Sequence, residues 1–281
     1  MTDLGPLWPT RLHHLRLNSD RPQRLVDFYR DTMGLAVAEH GDGIWILSGP
    51  DRRLVIGHGA PASLGFAAFA PGSERQLAAL RDACRSAGLE IGPQPSPLFD
   101  ADGFSVRDPE GNLLVFGLPA MWDTPIALGR PARLQHVVVA STKLQEMVAF
   151  YRDSLGFLES DNVRADDGEL TACFMRSDPE HHSFAVFRAP AARLDHHSYE
   201  TSGWMDIRDW ADHMGDLQIP LWWGPGRHGV GNNLFFMVED PDGSKVELSA
   251  EIEICLADKA AGEWQHGQRA LNLWGAAWMR S

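Results

Sequence analysis

Two histidines and a glutamate in the second half of the chain, His136, His196 and Glu247, are the residues best suited to hold a metal ion. A two-histidine, one-carboxylate set covers one face of an ion such as iron(II) and leaves three positions open, enough for an organic chelate and dioxygen together. A lone histidine in a strand is ordinarily a hydrogen-bonded structural residue, so the argument rests on placement. His136 follows Leu134 by two positions near the start of one strand-like segment, and His196 follows Leu194 by two near the start of another. Adjacent strand residues face opposite ways, so only one of His196 and His197 can point where His136 points, and the matching position selects His196. Glu247 lies in a last strand-like segment, directly after the turn Asp240-Pro241-Asp242-Gly243.

The chain carries its own control. Phe28-Tyr29-Arg30-Asp31-Thr32-Met33-Gly34 recurs as Phe150-Tyr151-Arg152-Asp153-Ser154-Leu155-Gly156, and the same offset carries His14 onto His136. Asp108-Pro109-Glu110-Gly111 corresponds to Asp240-Pro241-Asp242-Gly243. Where the second copy has His196 and Glu247, the first has Phe66 and Val115. His14 alone cannot hold a metal, so one copy reads as scaffold and the other as a metal site.

The elements that must position these residues repeat as well. Leu134 to Ala140 alternates and is rich in valine, as a strand requires. A helix follows, with Ser141 or Thr142 as its cap, Gln145 completing a capping box, an apolar face of Leu144, Met147, Val148, Tyr151 and Leu155, and Gly156 as the stop. Strands are expected near Phe157 to Asn162, Leu170 to Arg176 and His182 to Arg188. A second such unit runs from a strand at Leu194 through a helix from Gly203 to Leu217, with Trp204, Ile207, Trp210 and Met214 on one side. Strands near Pro220, Leu234 to Glu239 and Lys245 to Ser249 complete it. The first half has matching elements, its leading helix capped by Asp20, with Pro22 in the first turn and Gly34 at the end. The expectation is an α+β chain of four β-α-β-β-β modules in two tandem domains, each a curled mixed sheet enclosing a cavity. The domains are residues 1–125, without a metal site, and residues 126–281, with the metal site and a tail holding Trp264, Trp274 and Trp278. The Pro- and Gly-containing stretch from Trp122 to Pro131 joins them, and the tail is expected to pack over one domain or a subunit interface.

At 281 residues the chain can bury two cores of ordinary domain size. A net charge of −13 disfavours nucleic acid or an anionic membrane as partner. No apolar run reaches membrane-spanning length and the N-terminus lacks the pattern of a signal peptide, so the expected location is cytoplasmic. Three widely spaced cysteines, Cys84, Cys173 and Cys255, give neither a disulfide framework nor a thiolate metal site and are expected as buried small apolar residues.

With this ligand set on a duplicated scaffold, the chain resembles the type I extradiol ring-cleavage dioxygenases of the vicinal oxygen chelate superfamily, over most of its length. The resemblance implies iron(II) held by His136, His196 and Glu247, with manganese(II) also accepted by that set, and O2 as co-substrate. It implies a catechol-like aromatic diol opened next to its hydroxyls. The family's acid/base histidine falls on His182 in His182-Ser183-Phe184-Ala185-Val186-Phe187, and a further histidine near the metal falls on His228 in Gly226-Arg227-His228-Gly229. A histidine near the metal but not on it can take a proton from the diol and return it when the O–O bond breaks. His182 opens the strand corresponding to that of Glu247, so pseudosymmetry aims it at the same cavity. Its alternative is a surface turn after Ser177-Asp178-Pro179-Glu180. His13, His58, His197, His213 and His266 are left as structural or solvent-facing.

The match departs from the family at Met237, where a tyrosine usually stands nine residues after the His228 position. A thioether cannot donate that tyrosine's hydrogen bond. Tyr29 and Tyr151, on equivalent helices, are expected in the core. Trp222 and Trp223 are candidate pocket walls beside Met237. The alternatives are a glyoxalase-like isomerase or lyase, which would draw ligands from both halves, and a drug-sequestering binding module. Self-association is expected from exposed strands and the Trp-rich tail.

Overall fold

The computed structural model describes residues 4–120 and 129–278, and in it the expected strand-helix-strand-strand-strand order occurs four times. The first unit is β1 (Thr10–Ser19), α1 (Pro22–Met33), β2 (Ala36–Gly41), β3 (Ile44–Gly49) and β4 (Arg52–His58). The second is β5 (Ser63–Pro71), α2 (Glu74–Ser86), β6 (Gly92–Pro93), β7 (Phe104–Arg107) and β8 (Leu113–Phe116). The third is β9 (Arg133–Ser141), α3 (Leu144–Ala149), β10 (Leu158–Arg164), β11 (Leu170–Arg176) and β12 (Phe184–Arg188). The fourth is β13 (Arg193–Thr201), α4 (Trp204–Asp216), β14 (Trp223–Arg227), β15 (Leu234–Glu239) and β16 (Lys245–Ala250), after which the tail adds β17 (Gly262–Gln265) and α5 (Gln268–Leu271).

The units pair into two mixed sheets, ordered β2-β3-β4-β1-β5-β8-β7-β6 and β14-β15-β16-β13-β9-β12-β11-β10-β17. At the centre of each, the first strands of two units run antiparallel, and each lies parallel to the last strand of its own unit. Residues 121–128, which take in most of the expected linker from Trp122 to Pro131, lie outside the described residues. The tail extends the second sheet, β17 pairing parallel with β10. All three cysteines are buried and free.

Several local expectations are corrected. Asp20 does not cap α1. Arg21 occupies that position, and the Ser19 hydroxyl accepts from its backbone N–H. Gly34 ends the helix as expected, with a left-handed φ of 62° that favours glycine. Lys143 occupies the N-cap of α3 and no capping box forms with Gln145. Instead Glu110, reaching across from the first half, accepts from the backbone N–H of Thr142 at 2.7 Å and of Lys143 at 3.1 Å, and from the hydroxyls of Ser141 and Thr142. An acceptor from a distant segment replaces a local one, so no local pattern announces it. The helix then widens into a π-helical turn, Phe150–Leu155, before Gly156. On α4, Ile207, Trp210 and Met214 are buried, but Trp204 is exposed at its first turn. The strand expected near Pro220 begins at Trp223, and that expected from His182 begins at Phe184.

The two tyrosines of the repeated helices are buried, as expected, and they also clasp the halves together. Tyr29 donates to Asp240 Oδ2 at 3.1 Å, and Tyr151 donates to Asp108 Oδ2 at 3.1 Å, so each half's helix grips the other half's Asp-Pro turn. The remaining oxygen of each aspartate accepts from backbone N–H groups of its own turn. Removing either hydroxyl leaves a buried carboxylate oxygen without that donor. Tyr29→Phe and Tyr151→Phe are each expected to lower unfolding stability by about 1–3 kcal/mol, measured as a shift of the urea midpoint at unchanged slope.

Candidate metal centre

Register builds the site. On β13, Ser198 pairs with His136 of β9 on one side and with Glu247 of β16 on the other. The three side chains therefore stand in one row across three strands, and His196, two residues before Ser198, shares their face. All are buried, and one ligand atom from each of His136, His196 and Glu247 falls within 4.8 Å of the others. His197 points the other way, its Nε2 lying 3.1 Å from the Tyr29 hydroxyl.

The equivalent row in the first half is His14, Ala68 and Val115, with Ala68 paired to both. There His14 is held by Ser96 at 2.6 Å and His13 at 2.8 Å. Phe66 and Val115 sit in an apolar cluster with Ile46, Val55 and Phe99. The same scaffold holds a hydrophobic plug in one half and a converging set of ligands in the other.

Hydrogen-bond partners fix how those ligands are presented. Nδ1 of His136 donates to the Gln135 side-chain oxygen, whose own amide N–H is committed to the His182 carbonyl at 2.6 Å. Nδ1 of His196 donates to Asp195 at 2.6 Å, and Nδ1 of His228 donates to the Leu271 carbonyl. In each neutral ring Nε2 is then a bare lone pair. All three Nε2 atoms face Glu247, at 3.8 Å for His136, 3.7 Å for His196 and 3.5 Å for His228. Glu247 Oε1 accepts from the Ser198 hydroxyl at 3.0 Å and from Asn233 at 3.4 Å, but no described residue donates a hydrogen bond to the buried Oε2.

Burial alone would raise the Glu247 carboxyl. Its interactions with His228, then His196 and Ser198, outweigh burial and hold it below the ordinary value. Burial first, and then the charges of neighbouring histidines, push His136 and His182 well below the usual imidazole range. A buried anion ringed by imidazole lone pairs is unfavourable by itself, and a divalent cation among them converts the repulsion into attraction. This nitrogen and oxygen donor set fits iron(II) or manganese(II).

A cavity opens onto this set, with Phe174, Phe187, Trp223, Val230 and Met237 among its apolar walls and Asn233 and His182 among its polar ones. His182 lies in the loop just before β12, not in the strand, and is buried with its ring 4.3 Å from that of His136. His228 follows β14 and stacks on Phe235 at 3.8 Å. Trp223 and Met237 line the cavity as expected. Trp222 does not, packing instead beneath Lys245 and against Trp278. Ala270 and Leu271 of α5 complete the wall, so the tail packs over the site's own half.

Sequence reasoning missed Ser198, Asn233, Gln135 and Asp195. Ser198 had a signal, since the offset that carries Phe66 onto His196 also carries Ala68 onto Ser198. Gln135 and Asp195 had one too, since each directly precedes a ligand histidine and carries an acceptor, whereas Asn233 had none because only the fold brings it to the carboxylate.

The family model described as Glyoxalase/Bleomycin resistance protein/Dioxygenase superfamily matches residues 11–116 and again residues 133–248. Among similar proteins, metapyrocatechase 2 of Cupriavidus necator is 28% identical over 279 residues, spanning 89% of this chain and 84% of that one. Among solved structures, homoprotocatechuate 2,3-dioxygenase from Arthrobacter globiformis superposes with a TM-score of 0.82 at 22% identity, covering 98% of this chain and 90% of that one. The Mn(II)-bound glyoxalase from Novosphingobium aromaticivorans gives 0.79 at 24% identity, covering 96% and 92%. With two matches that together take in most of its length, one on each sheet, the chain belongs to the Glyoxalase/Bleomycin resistance protein/Dioxygenase superfamily.

Proposed function

We propose that this protein is an iron(II)-dependent extradiol dioxygenase, with manganese(II) as the alternative metal, that adds both atoms of O2 to a catechol-like diol and opens the ring beside it. The observation that carries this reading is the convergence of His136, His196 and Glu247 in one half, against His14, Phe66 and Val115 in the other. Similarity to metapyrocatechase 2 over most of the chain supports it. An oxygen-independent isomerase or lyase drawing ligands from both halves finds Phe66 and Val115 where its further ligands would stand.

The reading divides the chain into a scaffold domain, residues 1–125, and a catalytic domain, residues 126–281, whose sheet curls round the site. Phe174 on β11 and Trp223 on β14 share the cavity although six strand spacings separate them in the sheet order. In a flat sheet that separation would be about 29 Å. The protein is read as cytoplasmic and self-associating, with exposed Trp204, Trp274 and Trp278 as apolar surface and no nucleic-acid or membrane partner. No helix among the described residues is long and apolar enough to cross a membrane.

Held by His136, His196 and Glu247, the metal would supply adjoining positions at which the two diol oxygens and O2 are brought together and polarised. The side chains do the rest. His182, kept neutral by burial, accepts a proton from a diol hydroxyl and returns one to the oxygen released as the O–O bond breaks. His228, its Nδ1 anchored to Leu271, presents Nε2 beside Glu247, where its lone pair can accept from a substrate hydroxyl. Phe174, Phe187 and Trp223 give a flat ring apolar contact and keep water away. Met237 donates no hydrogen bond, so oxygen orientation falls to the histidines.

Protein loaded anaerobically with iron(II) is expected to consume one O2 per diol and give a yellow ring-opened product from at least one catechol in a panel. No oxygen uptake with any of them, or turnover without oxygen, would refute the reading. Metal at a hundredfold excess over its dissociation constant should stabilise the wild type by about 2.7 kcal/mol. His196→Ala and Glu247→Gln should lose that rise in Tm and retain no metal by elemental analysis. His182→Ala should keep its metal while kcat drops about 10²- to 10⁴-fold.

A further inference from the structure

Behind His182 runs a line of buried hydrogen bonds that the chemistry above leaves unused. His181 Nε2 lies 3.0 Å from Asp161 Oδ2, and His181 Nδ1 lies 3.0 Å from Nδ1 of His182. Asp161, His181 and His182 are 5%, 0% and 3% exposed, so no bulk water competes for these atoms. A carboxylate only accepts, so the Nε2–H of His181 donates to Asp161. One of the two facing Nδ1 atoms must donate to the other, and where His181 carries a single proton, on Nε2, the donor is the Nδ1–H of His182. The ring of His182 is left with its lone pair on Nε2, the edge remaining for the cavity that it lines.

The tail completes the line. Trp264 on β17 donates its indole N–H to the same Asp161 oxygen at 2.9 Å, and β17 lies alongside β10 with Gly262 opposite Asp161. A Cβ at position 262 would stand 2.3 Å from Asp161 Oδ1, so only glycine lets the tail strand come this close. The backbone N–H of His181 is itself fixed by the Glu253 carbonyl at 2.8 Å.

We propose that Asp161 and His181, seated by Trp264, are positioning residues that hold His182 in its Nδ1–H tautomer and in one orientation, so that a bare Nε2 faces the diol. The catalytic part of this inference rests on the dioxygenase reading of the site, whereas the tautomer does not. It also assigns a task to the Trp-containing tail beyond packing.

Two measurements on the full chain test it. Long-range ¹H–¹⁵N NMR of the metal-free protein should find His182 protonated on Nδ1 and His181 neutral, with His182 becoming a tautomer mixture in His181→Leu. In the metal-loaded enzyme, His181→Leu should lower kcat about ten- to a hundredfold with KM and metal content within about twofold. His181→Asn, whose side-chain oxygen can take the place of the accepting nitrogen, should recover most of the lost kcat. Trp264→Phe should lower kcat by about threefold, and it provides the reading if the leucine variant does not fold. An Nε2–H tautomer at His182 in the wild type, an unchanged tautomer in His181→Leu, or kcat within twofold in both His181→Leu and Trp264→Phe would overturn the proposal. Equal loss in His181→Leu and His181→Asn would also overturn it. If the wild type cleaves no diol, the dioxygenase reading fails by itself, and the NMR result still decides how His182 is held.

Discussion

A carboxylate removed from water sets the terms for this half of the molecule. Glu247 is 1% exposed, and burying an unpaired charge is among the costliest things a fold can do. The second sheet is arranged to make that burial tolerable. Ser198 and Asn233 donate to Oε1, which also faces His136, while His196 and His228 face Oε2. Each ring has its opposite edge anchored, by Gln135, Asp195 or the Leu271 carbonyl, so none can turn away to relieve crowding of lone pairs. The result is a preorganised electron-rich pocket that favours a cation.

Duplication explains how such a pocket is supported. The first half repeats the strand register but fills the corresponding row with Ala68 and Val115, giving up chemistry for close packing. Its service to the site is mechanical. Tyr29 grips the turn that leads into β16, where Glu247 stands, while Tyr151 and the helix behind β9 are gripped by Asp108 and Glu110. A slip between the halves would move the strand of Glu247 relative to that of His136. Adjacent histidines divide the labour on β13, His196 facing the site and His197 meeting Tyr29 at the junction of the halves.

The apolar walls and the tail address a different requirement. Met237 cannot supply a hydrogen bond, and the polar side chains lining the cavity beside the three candidate ligands include His182, His228 and Asn233. Ala270 and Leu271 of the tail close the cavity, and Trp264 reaches the carboxylate behind His181. A segment outside the fourfold repeat thus bears on both the shape of the pocket and the setting of its histidines.

Much of this was legible in the sequence because the information is periodic or repeated. The choice of His196 over His197 followed from the alternation of strand side chains, and the four units followed from matched motifs such as Phe28-Tyr29 and Phe150-Tyr151. The strand Leu170–Arg176 and the stop at Gly34 were set by local preference alone. Contacts between residues far apart in the chain were not legible. Glu110 replaced the expected cap of α3, Asp161 and Trp264 met behind His181, and Trp222 turned from the pocket that Trp223 lines. The sequence by itself determined which residue types recur and which strand face each must take, since these depend on backbone geometry within a few residues. Only the tertiary structure decided which distant donors and acceptors saturate the buried ones, because that depends on how the two halves and the tail close on one another.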